Sequence, residues 1–338
     1  MSARVRAVVV TWNGAHLLPP CLRSLLSQDL PGGLEVVVVD NASTDGTATL
    51  LAESFPSVRV VNLRENTGFA GGVAAGTEDL LAREVVPGQD VPEYVVLLNN
   101  DAWFEPGAVH RLVATADSAR EAGERVGAVT AKVLLSEPDR EGRKVLNSTG
   151  NILSPTGAAT DRDFGVPVDQ ARPAREVFGL YGGACLIRTD ALRDAGGFDA
   201  RLFLYYEDTD LSWKLRERDW TVVYEGQAVA HHRHSASSGT ASALFRYYNT
   251  RNSLVVATRH APWGLVLRSL GRQLAGIVRH SALRTEPAEL RRARRRALWD
   301  YTKTVPRLLV ERRARPRAVR PEMSGGAGGV VPDRPRGR

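Results

Sequence analysis

"VVLLNNDAWF" (residues 95–104) runs four apolar residues straight into two asparagines and an aspartate. An apolar run of this kind ends in a turn, and Asn and Asp are ordinary turn residues. Either Asn99, Asn100 and Asp101 merely stop a strand, or they hold something at its end. The surrounding sequence decides between the two.

Three earlier runs read the same way: "VRAVVV" (5–10), "LEVVVVD" (34–40) and "VRVVNL" (58–63). Between the first two, Leu18, Leu22, Leu25 and Leu26 fall on one helical face. Near-continuous apolar strands alternating with helices predict an α/β fold with a mostly parallel sheet covered on both sides. In such sheets ligands bind beyond the carboxyl ends of the strands. "TWNG", "DNASTDGT" and "NNDAW" all fall at such ends. A second part, near 125–235, adds strand candidates at 126–135, 183–188 and 221–230.

The chain has 338 residues, 43% apolar and 25% charged, which predicts a soluble globular protein of one large domain or two smaller ones. Cys21 and Cys185 are the only cysteines, so no disulfide framework or zinc knuckle is expected and a reducing compartment suits the chain. The first apolar run is too short for a signal peptide. No stretch reaches the roughly 18 uninterrupted apolar residues of a membrane-spanning helix. The net charge of +7 is uneven: residues 284–320 hold thirteen Lys/Arg against four Asp/Glu, and the first 283 residues sum to −3. That places the basic character in an appendage and argues against a nucleic-acid-binding catalytic domain.

Each polar segment has a structural and a functional reading. Asp40, with Ser43, Thr44 and Asp45 after it, is either part of a capped βα turn or an acceptor for a nucleobase or ribose. G-x-G-x-x-G and G-x-x-x-x-G-K-[ST] are both missing, so the dinucleotide and P-loop readings lose their support. "ENTGFAGGVAAG" (65–76) brings four glycines to a helix start, where backbone or ligand can come close. Asp101 suits a magnesium or manganese ion shared with phosphate oxygens. Glu207, Asp208 and Asp210 begin a helix, as the dipole favours, yet a carboxylate there is also well placed as a general base. "HHRH" (231–234) is either a surface cluster or the source of one metal ligand.

Taken in order, "VVVTWNG", "DNASTDGT", "NTGFAGG", "LLNNDAWF", "GGFDARLFLYYEDTDLSWKLRERDW" and a histidine before "SAS" resemble glycosyltransferase family 2, in its bacterial rhamnosyltransferase-like branch. The resemblance spans about residues 5–255. It implies a GT-A fold, a nucleotide-diphosphate sugar donor, a divalent metal (Mg²⁺ or Mn²⁺) and inversion at the anomeric carbon. It further implies donor contacts from Thr11, Trp12, Asn13, Asp40, Asn41, Asn66, Gly68, Asn100 and Asp101. Asp208 would be the base, Glu207 and Arg251 would lie on the acceptor side, and Asp101 with His232 would take the metal. The family's signature is often D-x-D; here "NND" leaves one carboxylate. Such a donor needs charge stabilisation of its diphosphate and one base for the acceptor hydroxyl.

The expected organisation is a catalytic domain over 1–255, divided near 124 into nucleotide and acceptor halves. A basic helical extension over 256–320 and a disordered tail over 321–338 follow. Pro262 opens a helical pattern. On it Arg268, Arg272 and Arg279 cluster opposite Trp263, Val266, Leu267, Leu270, Leu274, Ile277 and Val278, with Leu265 as the exception. That pattern fits an in-plane membrane helix, or a helix packed on the domain with a solvated arginine face. The expectation is a cytoplasmic enzyme, peripheral at the inner face of the plasma membrane. It would meet an anionic membrane surface and act on a glycan or polyprenyl-diphosphate-linked acceptor, with rhamnose from dTDP-rhamnose as the favoured sugar and no nucleic acid. Two competing readings are a nucleotidyltransferase, whose Lys-containing Gly-rich first loop is missing, and an inactive nucleotide-sugar-binding scaffold, which an intact "EDTD" disfavours.

Overall fold

The computed structural model describes residues 3–81, 91–233 and 242–316. In chain order the strands are β1 (Val5–Thr11), β2 (Leu34–Asp40), β3 (Arg59–Asn62), β4 (Tyr94–Leu98), β5 (Ala102–Phe104), β6 (Val126–Leu135), β7 (Leu146–Ser148), β8 (Asn151–Leu153), β9 (Ala159–Asp161), β10 (Glu176–Val177), β11 (Ala184–Arg188) and β12 (Thr221–His232). The helices are α1 (Leu18–Leu26), α2 (Thr47–Ser54), α3 (Gly68–Gly76), α4 (Glu78–Leu81), α5 (Ala108–Glu121), α6 (Thr189–Asp194), α7 (Glu207–Arg216), α8 (Ala243–His260), α9 (Trp263–Ala282) and α10 (Ala288–Ala314).

The main sheet runs β10-β12-β6-β11-β4-β1-β2-β3, with β5 beside β12 and β7 beside β6. On that path β3, β2, β1, β4, β6 and β12 point one way, while β11 and β10 run against them. The sheet is therefore mixed and mostly parallel. Strands β1, β2 and β4 are buried on both faces, as their unbroken valine runs require. One apolar layer packs α1 and α5 on one side, and a second packs α3, α6 and α7 on the other.

In α1 the buried residues are Leu18, Cys21, Leu22 and Leu25, whereas Leu26 is 44% exposed. The expected four-leucine face is thus rotated by one position, and Cys21 rather than Leu26 completes it. The glycines of α3 have a packing role. A Cβ on Gly72 would strike Val10, and one on Gly76 would lie 2.7 Å from Val8, so α3 rests directly on β1. Gly68 has φ +73°, and a side chain there would run into the Phe203 carbonyl.

Helix α8 runs unbroken across residues 255 and 256, and its last two turns are buried. Its Asn252 amide faces the carbonyls of Leu202, Leu204 and Tyr205 at 2.8, 2.9 and 2.8 Å. The loop it grips is strained: Phe203, Tyr205 and Tyr206 all have positive φ. Tail residues 321–338 and His234 lie outside the described residues. No described helix is long and apolar enough to cross a membrane.

Candidate active site

The polar segments meet where the parallel strands end. Thr11 and Asp40 are register partners at the ends of β1 and β2. Asp40 is nearly buried, and its Oδ1 accepts from the Ser43 backbone N–H at 3.0 Å. Asn13, at φ 51°, accepts from the Thr44 N–H at 2.7 Å and donates its own N–H to Ser43 Oγ at 2.9 Å. These bonds lock the first two loops together and leave the Trp12 ring 54% exposed, free to stack on a planar ligand. Asn41 ties the third loop in, donating to the Gly68 carbonyl at 3.0 Å and accepting from the Thr67 N–H at 2.8 Å. Asn66 caps the Gly68 N–H at 2.9 Å. Asn100 donates to Thr11 Oγ1 at 3.0 Å.

Asp101 follows in the turn between β4 and β5. Strand β5 pairs with β12 so that Ala102 lies opposite His232. Alternation along β12 then separates the two histidines. His232 turns inward, with Nε2 3.1 Å from Asp101 Oδ1. His231 turns outward to Glu105 at 2.8 Å and stacks on Trp103.

The other ring nitrogen of His232 is flanked by Asn147 Oδ1 at 3.0 Å and the Tyr181 hydroxyl at 3.3 Å. When Nδ1 carries the proton it donates to Asn147, and the Nε2 lone pair faces Asp101. One imidazole, oriented from behind, and one carboxylate suit a divalent cation whose remaining ligands are phosphate oxygens and water. Among the described residues no three His, Cys, Asp or Glu side chains converge into a complete metal cage.

Asp208 lies in the first turn of α7. Its Oδ2 accepts from Asn151 Nδ2 at 3.0 Å and from the Gly182 N–H at 3.3 Å, and its Oδ1 accepts from the Thr209 N–H at 2.6 Å. Burial raises its pKa above the ordinary carboxylate value, and these hydrogen bonds hold the rise down. Tyr181 and Gly182 are chain neighbours. One touches His232 and the other touches Asp208, so the two halves of the site share a wall.

Glu207 is buried, one of its carboxyl oxygens has no partner among the described residues, and burial followed by the charge of Asp208 pushes its pKa well above the usual range. Asp210 is fully buried and serves the fold. Lys214 lies 2.7 Å from it, His260 Nε2 lies 2.9 Å from it, and Arg259 pairs with it, joining α7 to the end of α8. Arg251 turns to the Arg201 carbonyl and to Asn252.

Sequence reading missed Asp161, Asn151, Asn147 and Tyr181. Asp161 stands opposite Asn151 across the β8–β9 hairpin. Burial, then the charge of Asp208, pushes its carboxyl pKa up to about 7. The available signal was "NSTGN" (147–151), five small or polar residues that are all buried.

The chain is similar to several known proteins. The family model "Glycosyl transferase family 2" matches residues 7–194. An N-acetylglucosaminyl-diphospho-decaprenol L-rhamnosyltransferase of Mycobacterium tuberculosis is 29% identical over 86% of this chain and 95% of its own. The O-antigen biosynthesis protein RfbC of Myxococcus xanthus is 25% identical over 88% of this chain but 24% of its own. Among solved structures, a mannosyltransferase from Pyrobaculum calidifontis with GDP-Man and Mn²⁺ superposes with TM-score 0.52 at 20% identity, covering 94% of this chain and 87% of its own. S. aureus TarS 1–349 in complex with UDP-GlcNAc gives TM-score 0.54 at 19% identity, covering 91% and 83%.

Proposed function

The chain belongs to glycosyltransferase family 2, and from that membership we propose that it moves a sugar from a nucleotide-diphosphate donor to a hydroxyl of a lipid-linked glycan in cell-envelope polysaccharide synthesis. The observation that carries the reading is the shared wall: Tyr181 reaches His232 while Gly182 holds Asp208. The donor loops of β1, β2 and β4 therefore open onto the same place as Asp208, a carboxylate positioned as a base.

In this reading Trp12 stacks on the nucleobase and Asp40 receives the ribose or base. Asn66, Gly68 and Asn100 line the path of the diphosphate. Asp101 and His232 would hold Mg²⁺ or Mn²⁺, which neutralises charge on the diphosphate leaving group when bound. Asp208 takes the proton of the acceptor hydroxyl as that oxygen attacks the anomeric carbon. Asn151 and Gly182 fix the carboxylate that does so. One base and no protein nucleophile give inversion.

The M. tuberculosis relative supports the finer assignment: an L-rhamnosyl donor, with dTDP-rhamnose favoured, and a prenyl-diphosphate-linked acceptor. The test is turnover of dTDP-rhamnose, against UDP- and GDP-sugars, on detergent-dispersed N-acetylglucosaminyl-diphospho-polyprenol. Transfer from dTDP-rhamnose supports the assignment. Transfer only from another sugar nucleotide overturns the donor, and no transfer from any of them overturns the reading.

A further inference from the structure

Helix α9 turns the wrong side to the protein. Its buried residues are Leu265, Val266, Ser269 and Gln273, and the last donates to Ser253 Oγ at 3.0 Å. Leu265, the exception on the helical wheel, thus packs inward together with Val266. The outward stripe is Trp263, Leu267, Leu274 and Val278, respectively 52, 66, 44 and 66% exposed. It follows the helical repeat for about 22 Å. The stripe continues into a groove of about 300 Å³ between α9 and α10, lined by Leu274, Ile277, Leu298, Trp299, Thr302 and Arg295. Trp299, on its far side, is 64% exposed.

A contiguous apolar face of this length marks an interaction surface. The charges beside it select the partner. Arg295 lines the groove and Arg292 lies one turn before it on α10; both are exposed, and neither has an ion-pair partner among the described residues. A second copy docked two-fold on this face would bring the same arginines toward one another. A bilayer with anionic headgroups accepts both features, burying the stripe below the headgroups and pairing the arginines at their level.

We propose that the outer face of α9 and α10 is a docking surface for an anionic membrane leaflet. The inner face of α9 connects this surface to the active site. A Cβ at Gly157, in the β8–β9 turn, would sit 3.2 Å from Leu265. Arg268 donates to the Pro155 carbonyl of the same turn at 3.2 Å. That hairpin carries Asn151 and Asp161. Docking therefore braces the acceptor side of the site against the surface from which a lipid-linked acceptor arrives. This last step rests on the lipid-linked acceptor reading; the docking itself does not.

The test is co-sedimentation of the full chain with vesicles of phosphatidylcholine alone or mixed with phosphatidylglycerol, at low and high salt. The expected result is binding to the mixed vesicles and little to the neutral ones. Leu267→Gln/Leu274→Gln/Val278→Gln should weaken it by about tenfold or more, since each side chain loses apolar burial. Arg292→Gln/Arg295→Gln should remove much of its salt dependence. All five positions are exposed, so thermal melts should match the parent. A chain that stays in the supernatant with mixed vesicles at low salt overturns the proposal. So does binding that ignores both variants, or a dimer that the apolar variant dissolves while vesicles go unbound. The vesicles contain no donor or acceptor, so a failure here leaves the transferase reading standing, and loss of turnover with intact binding would sink that reading alone.

Discussion

His232 Nε2 lies 3.1 Å from Asp101 Oδ1, joining the end of β12 to the turn after β4. Asp101→Ala should remove most of the Mn²⁺-dependent gain in thermal stability that a nucleotide diphosphate confers, and His232→Ala a smaller part. A tenfold loss of affinity lowers such a gain by about 1.4 kcal/mol. His231→Ala, on the outward side of the same strand, should behave as the parent. If nucleotide binding in the parent ignores Mn²⁺, this pair holds no metal.

Asp161 makes stability depend on pH in a set direction. Its folded pKa, about 7, lies above that of an unfolded aspartate. Between roughly pH 4 and that value the folded state holds the extra proton, so stability falls as pH rises through the window. Asp161→Asn should flatten this slope and melt higher than the parent above neutral pH. Equal pH dependence in melts of the two proteins would show that Asp161 titrates normally.

The strained loop before Asp208 depends on Asn252. Asn252→Ala leaves three carbonyls of residues 202–205 without that donor, while positive-φ backbone costs about 1–3 kcal/mol at each such residue. The expected outcome is a lower turnover number with a smaller loss of donor affinity, because the loop runs directly into Asp208 and meets the donor side through Phe203 against Gly68 and Ala70. Matching kinetics would mean that the loop holds its shape without the clamp.

Strands β1 to β4 were legible because each is a short valine-rich run closed by turn residues, and β6, β11 and β12 were read as candidates at 126–135, 183–188 and 221–230, whereas β5, β7 and β10 were not read. Asp101 was legible as a turn carboxylate suited to a metal, and His232 was picked out of "HHRH" through the family resemblance; their meeting depends on β5 pairing with β12, and β5 is too short to show a pattern. Asn147, Asn151 and Asp161 sit in short strands rich in small polar residues, which read as loop. The apolar stripe of α9 was visible on a helical wheel. Which side faced the protein was not, because Ser269 and Gln273 bury polar atoms that a wheel assigns to solvent.

The buried pair of Asp210 and Arg259 should behave as a stability element. Burial alone would raise the Asp210 carboxyl, but Lys214, Arg259 and His260 hold it well below the usual range. Arg259→Met leaves a fully buried carboxylate short of its partner and should cost about 3–5 kcal/mol in urea unfolding near neutral pH. A depressed carboxyl stabilises above its unfolded pKa and loses that contribution as pH falls toward the folded one. The deficit should therefore shrink only below roughly pH 4. A loss within the range of ordinary surface substitutions would reassign the pair.

The central claim is that Asp208 is the base of a sugar transfer. The most direct measurement pairs calorimetric donor binding with turnover of the lipid-linked acceptor, in the parent and in Asp208→Asn. Removing a general base costs about 10²–10⁴-fold in rate and should spare donor affinity, since the carboxylate acts on the acceptor. Turnover near the parent's, or loss of donor binding in step with loss of rate, would contradict the assignment.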